Sequence, residues 1–576
     1  MDQPWDRKLW KPSSTPLING GGIISKKVAH PMSLAKKLTL TILEVIEELQ
    51  AYIVTATKDI KDIPYLHVYW QQRGAYLLQL GYPELATADA YKSIMLCNAG
   101  LDSASSLGDA VRFITAMHTI TVDDYIWGLD EESTVKLVNG IIKMARKGSY
   151  SILLDSMMEL GAYPEVIKTC QEASTLYPLY SSEFETIRVA AQAAFNNFAK
   201  LLAHLLFDEQ KILVSFGRYC VRDYPWLPAQ YRNRSKESIQ TANHNLKQVS
   251  NCLEVRPSFI GGKTSKASEE VSCYGVFATK KISKGQTFIS ETHPFAVSLE
   301  QPKTHCGNCF TDLMTCASIR SLCCCSIYRY CSEKCETTAR SYHASICGKD
   351  FSEVIDSAHR AYGGKSEGEG YPDGQTALSH FTGWKDRVVE SHLKDSQVAF
   401  PDHMPVFLTR FLALILQDGC DPLDHPSIAS VVPHNDTSNM TWSFNGMVSG
   451  PITALQVLGV DVFADLRFDT WVLLTMWSRI RNNCMTADIS VPNKSLSPSY
   501  SWFNHSCSHN AERTVAKSGL ACDMEMRALK TIQRGEEIFV TYISEETLAL
   551  KKAERHAALR AWFGAACMCQ RCLKGR

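Results

Sequence analysis

The sequence lacks the features that mark membrane-spanning, secreted and nucleic-acid-binding chains. No apolar run approaches the ~18–20 residues that a membrane-spanning helix needs. The segment Met1–Ile24 carries charges and prolines and has no apolar signal core. The 60 Lys and Arg residues balance the 60 Asp and Glu residues, so the formal net charge is zero. We therefore expect neither a membrane nor directly bound nucleic acid as a partner.

Cysteine, in contrast, is abundant: the 576-residue chain contains 21. The cysteines concentrate between Cys306 and Cys347 and again near the C-terminus. Clustered cysteines without a secretion signal indicate metal ligation rather than disulfides. This predicts a cytoplasmic or nuclear protein with zinc sites, and the length predicts about three to four domains of ~150 residues.

The C-terminal cysteines form one such cluster. Cys567, Cys569 and Cys572 spell Cys-x-Cys-x-x-Cys, which presents three thiolates from one short segment. Because a tetrahedral zinc site needs four ligands, a fourth must come from elsewhere in the fold. Cys507 is the predicted donor, and the ion would then tie the tail over the neighbouring Asn504-His505 segment.

The cysteines between Cys306 and Cys347 are spaced in a way that resembles the MYND zinc finger. The resemblance implies two ions in a cross-brace. The first would be bound by Cys306, Cys309, Cys331 and Cys335, and the second by Cys325, His343, Cys347 and one more thiolate. The expected position for that last ligand is Leu322, so Cys323 or Cys324 must substitute, and we favour Cys323.

Three ordered motifs resemble the C-terminal half of a SET-domain methyltransferase. They are Asn504-His505-Ser506-Cys507, the run from Gly535 through Glu536-Glu537-Ile538 to Tyr542, and the cysteine tail. Upstream, Tyr274–Ala278 is similar to the opening strand of such domains. With the finger between the two parts, residues Val271 to Cys572 resemble the SET and MYND protein-lysine methyltransferase family.

The resemblance implies transfer of a methyl group from S-adenosylmethionine to a lysine amine of a protein, histone or non-histone. Tyr542 would be the catalytic residue, orienting an amine that burial keeps unprotonated. The implied cofactor-binding residues are Tyr274, Gly275, Phe277, Asn483, Asn504, His505 and Tyr542. Zinc is implied at three sites, the two of the finger and the one of the tail.

The N-terminal region has helical spacing of apolar residues from about Leu38 to Leu213. Two stretches resemble tetratricopeptide repeats, and a generic helical domain is the alternative. Their signature residues are Trp70, Gly74, Gly81 and Ala86 in the first stretch and Leu153, Gly161, Tyr163, Ala173 and Pro178 in the second. We expect this surface to bind protein partners, the finger to bind a proline-rich peptide, and the chain to be a monomer.

The expected fold is multidomain α+β: an N-terminal α-helical, TPR-like region followed by a β-rich SET domain that a zinc-binding MYND finger interrupts, with a post-SET zinc tail. The predicted ranges are 1–35 for a flexible lead-in, 36–223 for the helical domain, 224–255 for a linker, 256–300 for the first SET part, 301–350 for the finger, 351–400 for a helical or mobile insertion, 401–480 for a helical SET insert, 481–550 for the catalytic SET part and 551–576 for the post-SET tail.

Several residues depart from the family pattern and leave a second function open. They are Leu322, Cys484, Met485, His509 and Ala565. Ala565 stands where the family has an aromatic residue that stacks on adenine, a role that Trp562 or Phe563 could take over. The alternative function is a non-catalytic, zinc-stapled adaptor that assembles partners through its helical and finger surfaces.

Overall fold

The computed structural model describes residues 31–122, 130–201, 216–231, 236–258, 274–292, 295–298, 304–322, 327–355, 404–431, 439–486, 493–514, 523–563 and 566–575. The helices are α1 Pro31–Asp62, α2 His67–Gln79, α3 Pro83–Leu101, α4 Ser106–Val122, α5 Glu131–Glu159, α6 Tyr163–Leu176, α7 Ser181–Leu201, α8 Lys236–Val249, α9 Glu333–Ala339, α10 His343–Ile346, α11 Met404–Asp418, α12 Pro426–Ala429, α13 Gly450–Leu458, α14 Thr470–Asn483, α15 Glu545–Ala549, α16 Lys552–Phe563 and α17 Gln570–Leu573. The strands are β1 Gly217–Cys220, β2 Leu253–Pro257, β3 Tyr274–Ala278, β4 Thr287–Thr292, β5 Ala296–Ser298, β6 Arg320–Ser321, β7 Arg329–Tyr330, β8 Asn439–Trp442, β9 Cys484–Thr486, β10 Asn493–Leu496, β11 Asn504–His505, β12 Ala511–Thr514, β13 Asp523–Ala528 and β14 Glu537–Val540. None of the helices in these ranges is long and apolar enough to cross a membrane.

The N-terminal region is helical, as predicted, and two of its turns are built alike. Gly81 and Gly161 end α2 and α5 with positive φ values of 76° and 69°, a conformation that glycine adopts without strain. At each turn the amide that follows the glycine reaches back into the helix, Tyr82 N to Leu77 O and Ala162 N to Met157 O, both at 2.9 Å. The next helix starts with a proline in its first turn. Each turn therefore reverses the chain into a packed helix pair.

The helical region continues into a strand that the sequence analysis did not predict. β1 lies within the predicted helical range 36–223 and pairs antiparallel with β8, with Gly217 opposite Trp442. Apolar contacts extend the junction: Trp70 lies edge-on to Phe463, and Tyr91 lies edge-on to Phe444. The helical region is thus joined to the segment that precedes β9.

The SET region is built from small sheets with strand orders β11-β14-β3-β2, β12-β13-β4 and β5-β10-β9. In the first sheet Val255, Val276 and Ile538 are neighbours across β2, β3 and β14, and all three are buried. β11 is parallel to β14, which places Asn504 opposite Phe539 and His505 opposite Val540. This pairing brings the Asn-His segment to the strand that precedes Tyr542.

Two predicted boundaries differ from the structure. The range 224–255, predicted as a linker, contains α8 and the start of β2, which pairs with β3 over its whole length. Ala242 and Leu246 of α8 are buried in the same core as Val276. The polar composition of this range reflects the exposed face of an amphipathic helix, which the sequence analysis mistook for a linker. At the N-terminus α1 begins at Pro31, within the predicted lead-in 1–35, and residues 1–30 lie outside the described ranges.

The cysteine-rich finger is held against the rest of the chain by two basic residues. Arg410 of α11 donates to Gly307 O at 3.0 Å and places its guanidinium 3.9 Å from the ring centroid of Tyr342. Lys334 of α9 forms an ion pair with Asp523 of β13 at 2.8 Å. The finger is therefore docked both on a helix and on a strand of the SET region.

Candidate active site and metal centres

The close approach of β3 to Asn504 requires a glycine. Asn504 Nδ2 donates to Tyr274 O at 3.0 Å and to Glu537 Oε1 at 2.8 Å. A Cβ atom on Gly275 would lie 2.2 Å from Glu537 Oε1 and 2.7 Å from Asn504 Nδ2, which is closer than real contacts allow. The structure thus brings together Gly275 and Asn504, both predicted cofactor-binding residues. It also places Tyr274 here through its carbonyl group.

Glu537 is the carboxylate that joins these groups, and the sequence analysis named it only as part of a motif. Its two oxygens accept from Ser258 Oγ, each at 2.8 Å, in addition to the bond from Asn504. Burial raises the pKa of Glu537, while the donors Asn504 and Ser258 act in the opposite direction. The Gly-Glu-Glu pattern carried a signal for this residue, but only the pairing of β3 with β14 shows which glutamate points to Asn504.

Tyr542, the predicted catalytic residue, lies beside the Asn504-His505 segment. Its hydroxyl donates to Phe503 O at 2.6 Å, and its amide donates to His505 Nδ1 at 3.0 Å. The rings of His505 and Tyr542 are 5.5 Å apart. Because the hydroxyl proton is directed to the Phe503 carbonyl, the oxygen lone pairs are the part of the group that can accept from an amine.

The ring of His505 bridges Tyr542 and Cys507. Its Nδ1 accepts from the Tyr542 amide, so in the neutral imidazole Nε2 carries the hydrogen and faces Cys507 Sγ at 3.4 Å. Burial lowers the pKa of His505 to about 4, and the nearby His509 and Arg555 act in the same direction. The side chain is therefore neutral at pH 7, and the cofactor contact predicted for His505 stays a prediction.

The four cysteines predicted to form the C-terminal metal centre lie together. The sulfur atoms of Cys507, Cys567, Cys569 and Cys572 all lie within 4.8 Å of one another, and all four residues are buried. The Sγ atoms of Cys507 and Cys572 are 3.6 Å apart. A disulfide would need about 2.05 Å, whereas Zn–S bonds of about 2.3 Å at tetrahedral angles put sulfurs about 3.8 Å apart. The donor set and its spacing fit a zinc ion.

The first finger site is assembled in the same way. Cys306, Cys309, Cys331 and Cys335 form the second group whose ligand atoms lie within 4.8 Å of one another. The Sγ of Cys331 lies 3.4 Å from that of Cys309 and 3.7 Å from that of Cys335. Ser332 caps α9 by accepting from Cys335 N at 3.2 Å, which fixes that ligand at the start of a helix. This set also fits zinc.

The second finger site falls partly outside the described residues, because Cys323, Cys324 and Cys325 lie in the range 323–326. Its other predicted ligands, His343 and Cys347, lie one helical turn apart at the two ends of α10. The hydroxyl of Tyr330 lies 3.0 Å from His343 Nδ1, so Nε2 is the ring nitrogen that is left for a metal ion. Leu322, at the position where the family has a ligand, is buried in the apolar core. This site stays a prediction.

The remaining predicted cofactor residues are placed as follows. Asn483 is the last residue of α14, buried, and its Nδ2 donates to Arg479 O of the same helix at 2.7 Å. The Phe277 ring lies under the guanidinium of Arg256, 4.1 Å from the ring centroid. Ala565 and the side chains of Trp562 and Phe563 lie outside the described residues. The cofactor contacts predicted for all of these stay predictions.

Two polar residues that hold the site were not predicted. Asn510 is 2% exposed, accepts from Phe539 N at 2.7 Å and donates to Glu537 O at 2.8 Å, which fixes the edge of β14. Glu291 accepts from the hydroxyls of Ser497 and Ser499, the latter at 3.1 Å, and thereby anchors the loop that leads to Phe503. Ser497 and Ser499 stand in an alternating row of serines from Ser495 to Ser501, but that row does not identify the carboxylate that accepts from it.

Comparison with known proteins agrees with this geometry. The family model described as SET domain matches residues 273–543. Among curated proteins, N-lysine methyltransferase SMYD2-B from Danio rerio is 35% identical over 107 residues, which is 18% of this chain and 23% of that relative. The matched part therefore spans less than a quarter of the relative's length.

Proposed function

We propose that the chain, which the SET domain model matches over residues 273–543, is a protein-lysine N-methyltransferase that uses S-adenosylmethionine. The substrate is a lysine side chain of a histone or non-histone protein. The observation that carries the proposal is that Tyr542, Asn504 and Gly275 meet at one place in the fold, with the Tyr542 hydroxyl 2.6 Å from the carbonyl oxygen next to Asn504.

The residues of this chain would act by positioning. S-adenosylmethionine would supply an electrophilic methyl group on a sulfonium, which the lysine nitrogen would accept with loss of the carbon–sulfur bond. The Tyr542 oxygen accepts one amine N–H, which turns the nitrogen lone pair toward the methyl group. The amine must arrive neutral, and burial in an apolar channel would lower its pKa. The methylated amine then carries one positive charge and releases one proton to water.

The finer assignments belong to the same proposal. The cysteine-rich segment is of the MYND type and takes two zinc ions, which with the tail makes three. The helix pairs closed by Gly81 and Gly161 are of the tetratricopeptide type and bind protein partners, while the finger binds a proline-rich peptide. The protein works in the cytoplasm or the nucleus. The matching turns at the two glycines support the repeat assignment, and the sulfur group at Cys306 supports the finger.

Incubation of the full chain with labelled S-adenosylmethionine and a panel of lysine-containing proteins tests the activity. Tyr542→Phe removes the hydroxyl and keeps the ring, so we expect a loss of kcat of at least about 100-fold, in line with the loss of a positioned group in the transition state. The matched control is Tyr52→Phe, which removes a hydroxyl from the exposed face of α1 and should leave the rate unchanged. Equal rates for wild type and Tyr542→Phe would contradict the assignment.

A second measurement distinguishes the enzyme from the adaptor alternative. Titration calorimetry of the full chain with S-adenosylmethionine should give binding with a micromolar dissociation constant if the proposal holds. An adaptor needs no such binding. If neither binding heat nor methyl transfer is detected, the adaptor function would therefore replace the enzyme function as the proposal.

A further inference from the structure

An arginine is buried against the C-terminal sulfur atoms. Arg555 lies in α16 and is only 1% exposed. One guanidinium nitrogen, Nη2, lies 3.6 Å from Cys572 Sγ, and the other, Nη1, donates to Leu550 O at 2.6 Å. Leu548 and Leu559 are buried in the cluster that contains the four cysteines. The guanidinium is thus fixed at the sulfur group and has little access to water.

The charge of the metal centre explains why a cation belongs there. Four thiolates around one divalent zinc ion carry a net charge of −2. A buried net charge is costly unless a partner of opposite sign lies next to it. Arg555 supplies one positive charge and an N–H donor to sulfur, and thereby reduces the net charge of the buried group to −1. Groups that contact the ligands of a metal in this way raise its affinity.

The same sulfur group is connected to Tyr542 through one side chain. His505 Nε2 lies 3.4 Å from Cys507 Sγ, and His505 Nδ1 accepts from the Tyr542 amide at 3.0 Å. A displacement of Cys507 would move the imidazole, and with it the acceptor of the Tyr542 amide. The position of the sulfur atoms therefore contributes to the position of the tyrosine, together with the bond from its hydroxyl to Phe503 O.

We propose that Arg555 is a positioning residue: its guanidinium balances the thiolate charge of the Cys507, Cys567, Cys569 and Cys572 zinc centre, and the centre holds Tyr542 in place through His505. The step from zinc to Tyr542 depends on the proposed function. The step from Arg555 to zinc does not, so the two can fail separately.

Chelator competition on the full chain tests the first step. Cys569→Ser identifies which of the released zinc ions belongs to the C-terminal centre. For that ion we expect Arg555→Met to lower the zinc affinity about 10–100-fold, the usual cost of losing a group that supports metal ligands. Arg555→Lys keeps the charge and should recover at least half of the loss on a logarithmic scale. The ion bound by Cys306 and its partners should be released as in wild type.

Arg571→Met is the matched control, because Arg571 lies beside the same centre but donates to a main-chain atom, Cys507 O, at 3.2 Å. We expect its zinc affinity to stay within about threefold of wild type. Equal losses in Arg555→Met and Arg571→Met, or equal losses in Arg555→Met and Arg555→Lys, would overturn the role of Arg555. Both comparisons of zinc affinity can be made even if Arg555→Met is less stable, since Arg555→Lys keeps most of the packing of the Arg555 side chain.

Kinetics at saturating zinc tests the second step. If the centre positions Tyr542, Arg555→Met lowers kcat about tenfold or more while the KM for the protein substrate stays within about twofold. An unchanged kcat with weakened zinc binding would leave Arg555 as a residue of the metal centre and remove its link to Tyr542. A wild-type chain that transfers no methyl groups would refute the proposed function, and the zinc measurement would still decide the role of Arg555.

Discussion

At the scale of single residues, Gly275 shows how one missing side chain shapes the site. The space that its Cβ would need is already taken by Glu537 Oε1 and Asn504 Nδ2. Any larger residue must push both groups from the positions in which they hydrogen-bond. Position 275 therefore decides whether Asn504 can reach the carbonyl of Tyr274.

Gly275→Ala should destabilise the fold by about 1–3 kcal/mol, the usual cost of overfilling a packed site. It should also weaken binding of S-adenosylmethionine by about tenfold or more, which corresponds to ~1.4 kcal/mol. The shift of the urea midpoint and titration calorimetry measure the two effects. The matched control is Gly140→Ala: this exposed helical position has no atom within 4 Å of an added Cβ, so the substitution should be neutral or stabilising by up to about 1 kcal/mol. A Gly275→Ala variant as stable as Gly140→Ala would contradict the account.

Residue types, spacing and the family resemblance singled out Gly275, Asn504, Tyr542 and the two four-cysteine groups; the structure brings the cysteines of each group together, and the roles of the other three residues stay predictions. These sequence features were not enough for Glu291 or Asn510. A cysteine near other cysteines can be recognised as a metal-ligand candidate from its residue type alone. The role of a glutamate becomes visible only when the fold buries it beside serine hydroxyls. The role of Arg555 was hidden for the same reason, because arginines are common on exposed helix faces.

At the scale of elements, the contact between α2, α3 and α14 depends on a buried group of charges. Arg73 donates to both Asp89 and Asp469, with its Nε 2.7 Å from Asp89 and its Nη1 3.0 Å from Asp469. Lys92 lies 3.8 Å from Asp469, and both cations lie over the ring of Trp70. Asp469 also caps α14 by accepting from Thr470 N at 2.8 Å. Burial acts to raise the pKa of Asp469, but Arg73 and Lys92 outweigh it and hold that pKa below its ordinary value.

Arg73→Met should lower the free energy of unfolding by about 3–5 kcal/mol, because it leaves two buried carboxylates facing a single lysine. Combining it with Asp89→Leu restores the charge balance and should recover part of that loss. Lys136 forms an exposed ion pair with Glu132 on α5. Its removal by Lys136→Ala should lower the free energy of unfolding by less than about 0.5 kcal/mol. Denaturation with urea measures these three variants and the single variant Asp89→Leu. A double variant that is destabilised by the sum of its two single changes would show that the charges do not act as a group.

Sequence patterns predicted the helices here but not how they meet the rest of the chain. The period of apolar residues identifies a helix and its buried face. It does not say which distant element covers that face. An Arg or Asp, taken alone, indicates an exposed position even where the fold buries it. The strand β1 was missed because four residues give a weak periodic signal, and α8 was missed because its polar exposed face resembles a linker. β1 pairs with β8, and α8 packs on the core that contains β2 and β3.

At the scale of the whole molecule, the two four-cysteine groups bring together segments that have little apolar core of their own. The C-terminal cluster contains the four cysteines together with Leu548 and Leu559. So small a group cannot bury enough apolar surface to fold independently, and structural zinc then contributes directly to folding.

Chelation of zinc should therefore release the tail before the rest of the chain unfolds. We expect protease cleavage within residues 544–575 to rise by about tenfold or more, as a local loss of ~1.4 kcal/mol would produce. Sites within α2 and α3 should stay protected, since no described cysteine of either metal group lies there. Limited proteolysis with and without chelator, read by mass spectrometry, measures both. The variant Cys309→Ser should leave the tail protected, and equal release in both cases would argue against separate centres.

The bond between Arg73 and Asp469 joins residues 396 positions apart, and so does the bond from Tyr65 to Asp461. On a ribosome that adds ~5–20 residues each second, the first helices would emerge roughly 20–80 seconds before the partners that cover them. During that interval Arg73, Asp89 and the face of Trp70 would be open to water or held by a chaperone. Assembly of the N-terminal helices is thus completed late in synthesis, and a nascent chain stalled before residue 461 should expose them.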